Sequence, residues 1–331
     1  MFGGNRSRGK ALTHERWQSI RLVLLRQMPP PIYGREIPSS ELLLTFAQHA
    51  PGPGYLAPKL RHLADNGYQA VTTREYAEWL AGAWRPKRPA VLLTFDDGLR
   101  DFARVTYPIL KRFGFPCTLF VCPGLVDLAS RGVDAVSELA HKTILTWDEL
   151  RDLCCQGDVD VQCHGMWHNR VSCSSRPVSV GVRSYRGILD LADLLPPDGR
   201  IERVLAGQGD DVCRYACQPL YACHPSPGGP VSEPMLRSDL ADAKARIEEC
   251  LPGHAVRALA LPWWTGSPAT LELARAEGYT LVFWGLRMVH RRLGRENVDP
   301  LRIGRLGFDW IYCLPGTPLK LSVVSLLAAE K

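Results

Sequence analysis

Two adjacent carboxylates, Asp96 and Asp97, follow the apolar run Val91-Leu92-Leu93-Thr94-Phe95 and precede Gly98. Farther along, His164 and His168 stand four apart in His-Gly-Met-Trp-His. An apolar run that ends in a turn delivers both carboxylates to one strand end, and histidines at i and i+4 can face a single point. Asp, His and His are the ligand set of a catalytic site for one divalent metal such as zinc, with a position left open for water. On that reading Asp97, His164 and His168 are ligands, and Asp96 is the base that takes a proton from the water. Two neighbouring carboxylates repel when both are charged; a cation removes the conflict by holding Asp97 ionised and leaves Asp96 free to act. Alone, an Asp-Asp-Gly run reads as a plain turn in which each Asp caps backbone N–H groups. The histidine pair shifts the reading to chemistry.

The elements that must carry these residues alternate between apolar runs and amphipathic segments, the pattern of parallel strands joined by helices. Strands are predicted at residues 20–25, 69–72, 90–95, 117–122, 159–163, 256–261, 280–284 and 301–305. Helices are predicted at 55–66, at 74–83 and at 102–113, the last ended by Gly114. Thr146 and Glu149 form a capping box that opens a short helix. Leu236, Leu240, Ala243, Ile247 and Leu251 make one apolar stripe at helical spacing. About seven strand–helix units close a barrel, and barrel chemistry sits at the C-terminal ends of the strands. Asp96, His164 and Pro262 each directly follow a predicted strand, so three motifs distant in sequence fall on one rim.

With these motifs in order, the chain resembles the polysaccharide deacetylases of the NodB-homology type, carbohydrate esterase family 4. The resemblance runs through Thr94-Phe95-Asp96-Asp97-Gly98, Pro116-Cys117-Thr118-Leu119-Phe120-Val121, Thr146-Trp147, the His164–His168 motif, Pro262-Trp263 and Gly278-Tyr279. It implies an α/β fold, a distorted seven-stranded (β/α) barrel of the TIM-like NodB type. It also implies hydrolysis of an N-acetyl group on an amino sugar, with a carbohydrate as substrate. By the same resemblance a backbone N–H after Pro262 helps to hold the oxyanion, with Trp263 and Trp264 as a wall for a sugar ring. A late histidine, His290, is the implied acid. The chain departs from the family in three places. Gly165 stands where Ser or Thr is usual. Leu259, Ala260 and Leu261 stand where many relatives carry an arginine that orients the base, Arg257 being too far back. Leu25-Arg26-Gln27 stands where a Tyr-His pair often follows the first strand.

Charged residues make up 22% of the chain and apolar residues 46%, ordinary for a globular protein with ample core. The net charge of +6 favours anionic surfaces, yet the basic residues are scattered and no nucleic-acid motif is present, so no nucleic-acid partner is expected. No apolar segment approaches a membrane span, and no secretory leader pattern is seen at the start, so a cytoplasmic protein is expected, with peripheral membrane association left open. Eleven cysteines are odd in number and read as reduced thiols, although Cys213, Cys217, Cys223 and His224 could hold a structural metal. Residues 1–15 read as a disordered tail and 16–331 as a single catalytic barrel. Residues 171–233 break the alternation and read as an irregular insertion, which leaves the barrel just after His168 and covers the cleft. The reading that unites these features is a metal-dependent hydrolase of carbon–nitrogen, non-peptide bonds. Three others compete with it: a deformylase or amidase on the same scaffold, a catalytically weak carbohydrate-binding barrel lacking the arginine and a firm acid, and a metal-free structural barrel.

Overall fold

The computed structural model describes residues 28–33, 43–132, 144–181, 212–226, 229, 231–285 and 298–316. The elements run in order β1 (Leu44–Gln48), α1 (Pro53–Asp65), β2 (Gln69–Val71), α2 (Thr73–Ala81), β3 (Ala90–Phe95), α3 (Tyr107–Phe113), β4 (Cys117–Val121), α4 (Pro123–Ser130), α5 (Trp147–Cys155) and β5 (Val159–Cys163). They continue as β6 (Arg170–Gly181), β7 (Val212–Pro219), α6 (Glu233–Cys250), β8 (Ala258–Ala260), α7 (Pro268–Ala276), β9 (Leu281–Trp284), β10 (Ile303–Gly304) and β11 (Leu306–Gly307).

The main sheet has the order β10-β9-β8-β5-β4-β3-β1-β11, and all its pairings are parallel. β10 and β11 are the two halves of one segment broken only at Arg305. Ile303 and Gly304 pair with β9, while Leu306 and Gly307 pair with β1. The segment therefore joins the two ends of the sheet into a nearly closed barrel; counting it as one strand, the ring has the seven strands that the family resemblance implied.

Every residue of β3 and β4 is buried, as continuous apolar runs in a covered parallel sheet require. Alternate side chains go to opposite faces. Leu92 joins Phe120, Ala260 and Phe283 in one cluster inside the ring, while Val91, Leu93 and Phe95 join the larger cluster under the helices. Capping boxes at Thr72/Glu75 and Thr146/Glu149 fix the starts of α2 and α5, each worth about 1 kcal/mol.

Some sequence expectations fall outside the described residues and others are corrected. The predicted strand at 20–25 lies outside the described residues, as do residues 1–15. The first described strand is β1, which the apolar pattern did not single out. β2 is only three residues long and pairs with β3 alone, off the ring. The helix predicted over 102–113 begins as a π turn, Phe102–Thr106, with Tyr107 N–H reaching Phe102 O. Pro108 follows and has no N–H to continue an ordinary ladder, so the wider turn accommodates the break. The insertion is not irregular where it is described. Its flanks pair as an antiparallel ribbon from Arg170↔Pro219 to Gly181↔Val212, with register shifts around Pro177. A proline is tolerated there because a two-stranded ribbon consists of edges only. Leu220 N–H donates to Asn169 O at 3.0 Å and ties the base of the insertion together. No described helix is long and apolar enough to cross a membrane.

Candidate active site

Four strand ends meet on one rim. β3 passes into Asp96, Asp97 and Gly98, whose turn takes Asp97 and Gly98 to φ 77 and 70. A Cβ on Gly98 would lie 3.1 Å from Val121 Cγ1, so the close approach of β4 favours glycine there. β5 passes directly into His164. Asp97, His164 and His168 are all buried, and their potential ligand atoms lie within 4.8 Å of one another. His164 Nε2 is 3.4 Å and His168 Nε2 3.7 Å from Asp97 Oδ1. His164 Nδ1 lies 2.8 Å from Ala260 O, and since a carbonyl only accepts, this contact places the proton on Nδ1 and turns the Nε2 lone pair toward Asp97.

The donor set fits a divalent cation. Both Asp97 carboxylate oxygens are buried without a hydrogen-bond donor. An ionised carboxylate in that condition is costly unless a positive charge meets it. Burial works to raise the Asp97 carboxyl, and the facing histidines outweigh it, leaving the group well below the ordinary range. Burial dominates at His168 and lowers it to about 4, so its neutral, ligating form prevails. At His164 burial is outweighed by Asp96 and Asp97, and the imidazole is raised.

Asp96 has the opposite environment. Arg305, fully buried at the gap between β10 and β11, donates from Nη1 to Oδ1 at 2.7 Å and from Nη2 to Oδ2 at 2.9 Å. Its Nη1 also reaches Thr94 Oγ1 at 3.2 Å, and its guanidinium lies 5.6 Å from the rings of both Phe120 and Trp264. Burial alone would raise the Asp96 carboxyl; Arg305 and then His164 overcome this and hold it below its usual value. The sequence motifs left the base without an arginine. The fold supplies one from the closing strand instead of from the residues before Pro262.

His49, which sequence reasoning passed over, follows β1 and places Nε2 3.5 Å from Asp97 Oδ2, with 46% of its side chain exposed. It occupies the position after the first described strand that Leu25-Arg26-Gln27 was expected to fill. The missed signal is the short run Leu43–Ala47 ahead of Gln48-His49 and the Pro-Gly-Pro-Gly stretch. His290 lies outside the described residues.

Pro262, Trp263 and Trp264 form one tight turn at the end of β8. Trp263 and Trp264 both have left-handed backbones, φ 58 and 65, a conformation that costs roughly 1–3 kcal/mol at each non-glycine residue. The turn sets the Trp263 ring 4.9 Å from His168 and 5.1 Å from the Arg170 guanidinium, at the start of β6. Trp264 turns the other way, over Arg305, and a Cβ on Gly285 would lie 2.7 Å from it. One dipeptide thus packs against both the ligand side and the base side of the rim. The side chains of Cys213 and Cys217 lie outside the described residues, and among those described the Asp97 cluster is the one group of metal-ligating residues found.

Barrel and rim together define a class, a parallel (β/α) barrel with a candidate metal triad at its C-terminal end. Residues 84–190 match the family model described as polysaccharide deacetylase, so the resemblance read from the motifs holds over that stretch. YxkH of Bacillus subtilis, named for the same family, is 27% identical over 139 residues, 40% of this chain and 45% of that protein. The poly-beta-1,6-N-acetyl-D-glucosamine N-deacetylase of Escherichia coli K12 is 32% identical over 104 residues, 31% of this chain and 16% of that protein. The matched stretches thus span less than half the length of these curated relatives. A solved de-N-acetylase from Aggregatibacter actinomycetemcomitans shares the fold, with a TM-score of 0.55 at 17% identity over 86% of this chain and 98% of that one.

Proposed function

We propose that the chain is a metal-dependent hydrolase that removes the N-acetyl group from an amino sugar within a polysaccharide, oligosaccharide or glycolipid. The observation that carries this reading is the pairing of a donorless buried carboxylate at Asp97 with an arginine-held carboxylate at Asp96 on the same turn. The match of residues 84–190 to the polysaccharide deacetylase model supports it. Removal of N-acetyl groups from poly-N-acetylglucosamine, the reaction for which the Escherichia coli relative is named, is the first substrate class to test.

Asp97, His164 and His168 would hold the ion, zinc being the first choice for an Asp and two imidazoles. A divalent ion held there supplies Lewis acidity toward the amide carbonyl and lowers the pKa of a water. Asp96 accepts the proton of the attacking water, and Arg305 fixes both of its oxygens so that the lone pair facing the rim keeps one direction. A backbone N–H at Trp263 would donate to the carbonyl oxygen as negative charge grows on it. As the carbon–nitrogen bond breaks, acetate leaves and the amine takes a proton. We assign that proton to His49, which lies at the rim and is partly open to solvent.

Arg305 meets one of the two grounds for reading the chain as a weak binding barrel, the missing arginine; acetate release decides the other, the identity of the acid. The decisive experiment is acetate release from N-acetylglucosamine oligomers, measured before chelation, after chelation and after zinc is restored. Chelator-sensitive release that returns with zinc is expected. Release unaffected by chelation, or none from any amino sugar despite bound metal, would overturn the proposal.

A further inference from the structure

The motif His164-Gly165-Met166-Trp167-His168 must hold two imidazoles at one point, yet it is a loop with left-handed backbone at Gly165 and His168, φ 77 and 58. Such a loop keeps one geometry only if its surroundings over-determine it. One face is held by the barrel and α4. His164 N–H donates to Val121 O at 2.8 Å, and Gly124 N–H donates to Met166 O at 3.0 Å. The Trp167 ring lies so close to Gly124 that a Cβ there would sit 2.6 Å away.

The other face is held by residues to which neither the motifs nor the proposed chemistry assigns a part. Tyr221, at the returning end of the insertion, is buried, and its hydroxyl donates to Asp239 Oδ1 on α6. The same Asp239 oxygen accepts Met166 N–H at 3.3 Å. The Tyr221 ring fills the space over Gly165, where a Cβ would lie 2.6 Å from the hydroxyl and 3.0 Å from Cε2. Tyr221 is itself anchored through its carbonyl, which accepts from Ser267 N–H and Thr270 Oγ1, both at 2.7 Å. Those residues open α7, just after the Trp263-Trp264 turn.

We infer that Tyr221 and Asp239 form a clamp that positions the metal ligands His164 and His168, with Gly165 required because the tyrosine ring occupies the place of its side chain. The inference rests on the metal-site reading above. It gives the insertion a second role: its far end returns beneath the ligand loop as part of the foundation. It also accounts for Gly165, since a Ser or Thr at that position would collide with the Tyr221 ring. Tyr221 and Asp239 are positioning residues and touch neither the ligand atoms nor the reacting atoms.

The test uses the full chain and two readouts: zinc affinity by competition with a chromophoric chelator, and amide exchange across residues 164–168. Tyr221→Phe keeps the ring and removes the hydroxyl, and Asp239→Ala removes the acceptor. Each is expected to weaken zinc binding by about 10- to 100-fold, the usual scale for groups that orient metal ligands. Asp239→Ala should also speed exchange at Met166 in the metal-free protein. Asp239→Asn keeps an acceptor oxygen and should stay close to wild type in both readouts, a rescue that a merely space-filling residue would not show. Gly165→Ala should lose affinity through contact with Tyr221. Unchanged affinity and unchanged exchange in both Tyr221→Phe and Asp239→Ala would overturn the clamp, as would loss in Asp239→Asn equal to that in Asp239→Ala. If the wild-type chain takes up no zinc at all, the metal-site reading fails, and exchange at Met166 still decides whether the clamp exists.

Discussion

Asp96 and Asp97 are neighbours in sequence and both are buried, yet the fold treats them in opposite ways. Asp96 has a guanidinium on both oxygens, whereas Asp97 has no hydrogen-bond donor on either and faces three imidazoles instead. The turn makes the division possible. Left-handed backbone at Asp97 swings its side chain away from that of Asp96, one toward the arginine and the other toward the histidines. Two carboxylates that would repel in one environment are thus held in separate ones, as the proposed division of roles requires.

Asp97→Ala should have the largest effect: loss of stoichiometric zinc by elemental analysis and loss of measurable acetate release together. Retained zinc would erase the contrast between the two carboxylates. Asp96→Asn should separate the two halves, leaving zinc content near wild type while turnover falls by roughly 10²- to 10⁴-fold, the range for losing a general base. Arg305→Ala leaves a buried carboxylate without its partner. A loss of about 3–5 kcal/mol is expected, read from denaturant midpoints, together with reduced turnover. Arg305→Lys should recover part of the stability and less of the turnover, because an ammonium cannot match the two-pronged geometry. His49→Gln should keep both zinc and stability and lower turnover by about 10²-fold, more for a poor leaving amine than for an activated one. An equal loss on both substrates would remove His49 from proton donation.

The smallest effect concerns pH. Burial raises the Asp239 carboxyl to about 6, above its ordinary 3.8. A raised carboxyl binds its proton more tightly in the folded state, so its contribution to stability is full below pH 3.8 and is lost as pH climbs through about 6. Asp239→Asn should flatten that part of the stability–pH curve. An unchanged slope between pH 4 and 6 would show that another group produces it.

The residues that meet at the rim were unequally legible. Asp97 sits in a short motif directly after a strong apolar run, and the His164–His168 motif directly follows the alternating run Val159–Cys163, so their convergence follows from local pattern and the rule that strand ends share a rim. Arg305 carries no such signal. Its partner Asp96 is 209 positions away, and nothing in Ile303-Gly304-Arg305-Leu306-Gly307 distinguishes a buried guanidinium from a surface one. His49 was hidden for a different reason: β1 is five residues long, and the apolar run at 22–25 competed for the place of first strand. The seven-strand count came from the family resemblance, whereas the way the ring closes, through two two-residue pairings around one arginine, is a matter of tertiary register that periodicity does not encode. In the insertion, serine and proline content masked a ribbon whose pairing tolerates both.

That closure ties the hold on Asp96 to the integrity of the ring. All three candidate ligands precede residue 169, and the groups that hold their loop, Tyr221, Asp239 and the Ala260 carbonyl, also lie ahead of residues 303–307. Residues 303–307 themselves bring Arg305 to both oxygens of Asp96. The seam that joins the two ends of the sheet and the guanidinium that grips Asp96 are therefore one feature, and whatever loosens the seam frees that carboxylate as well.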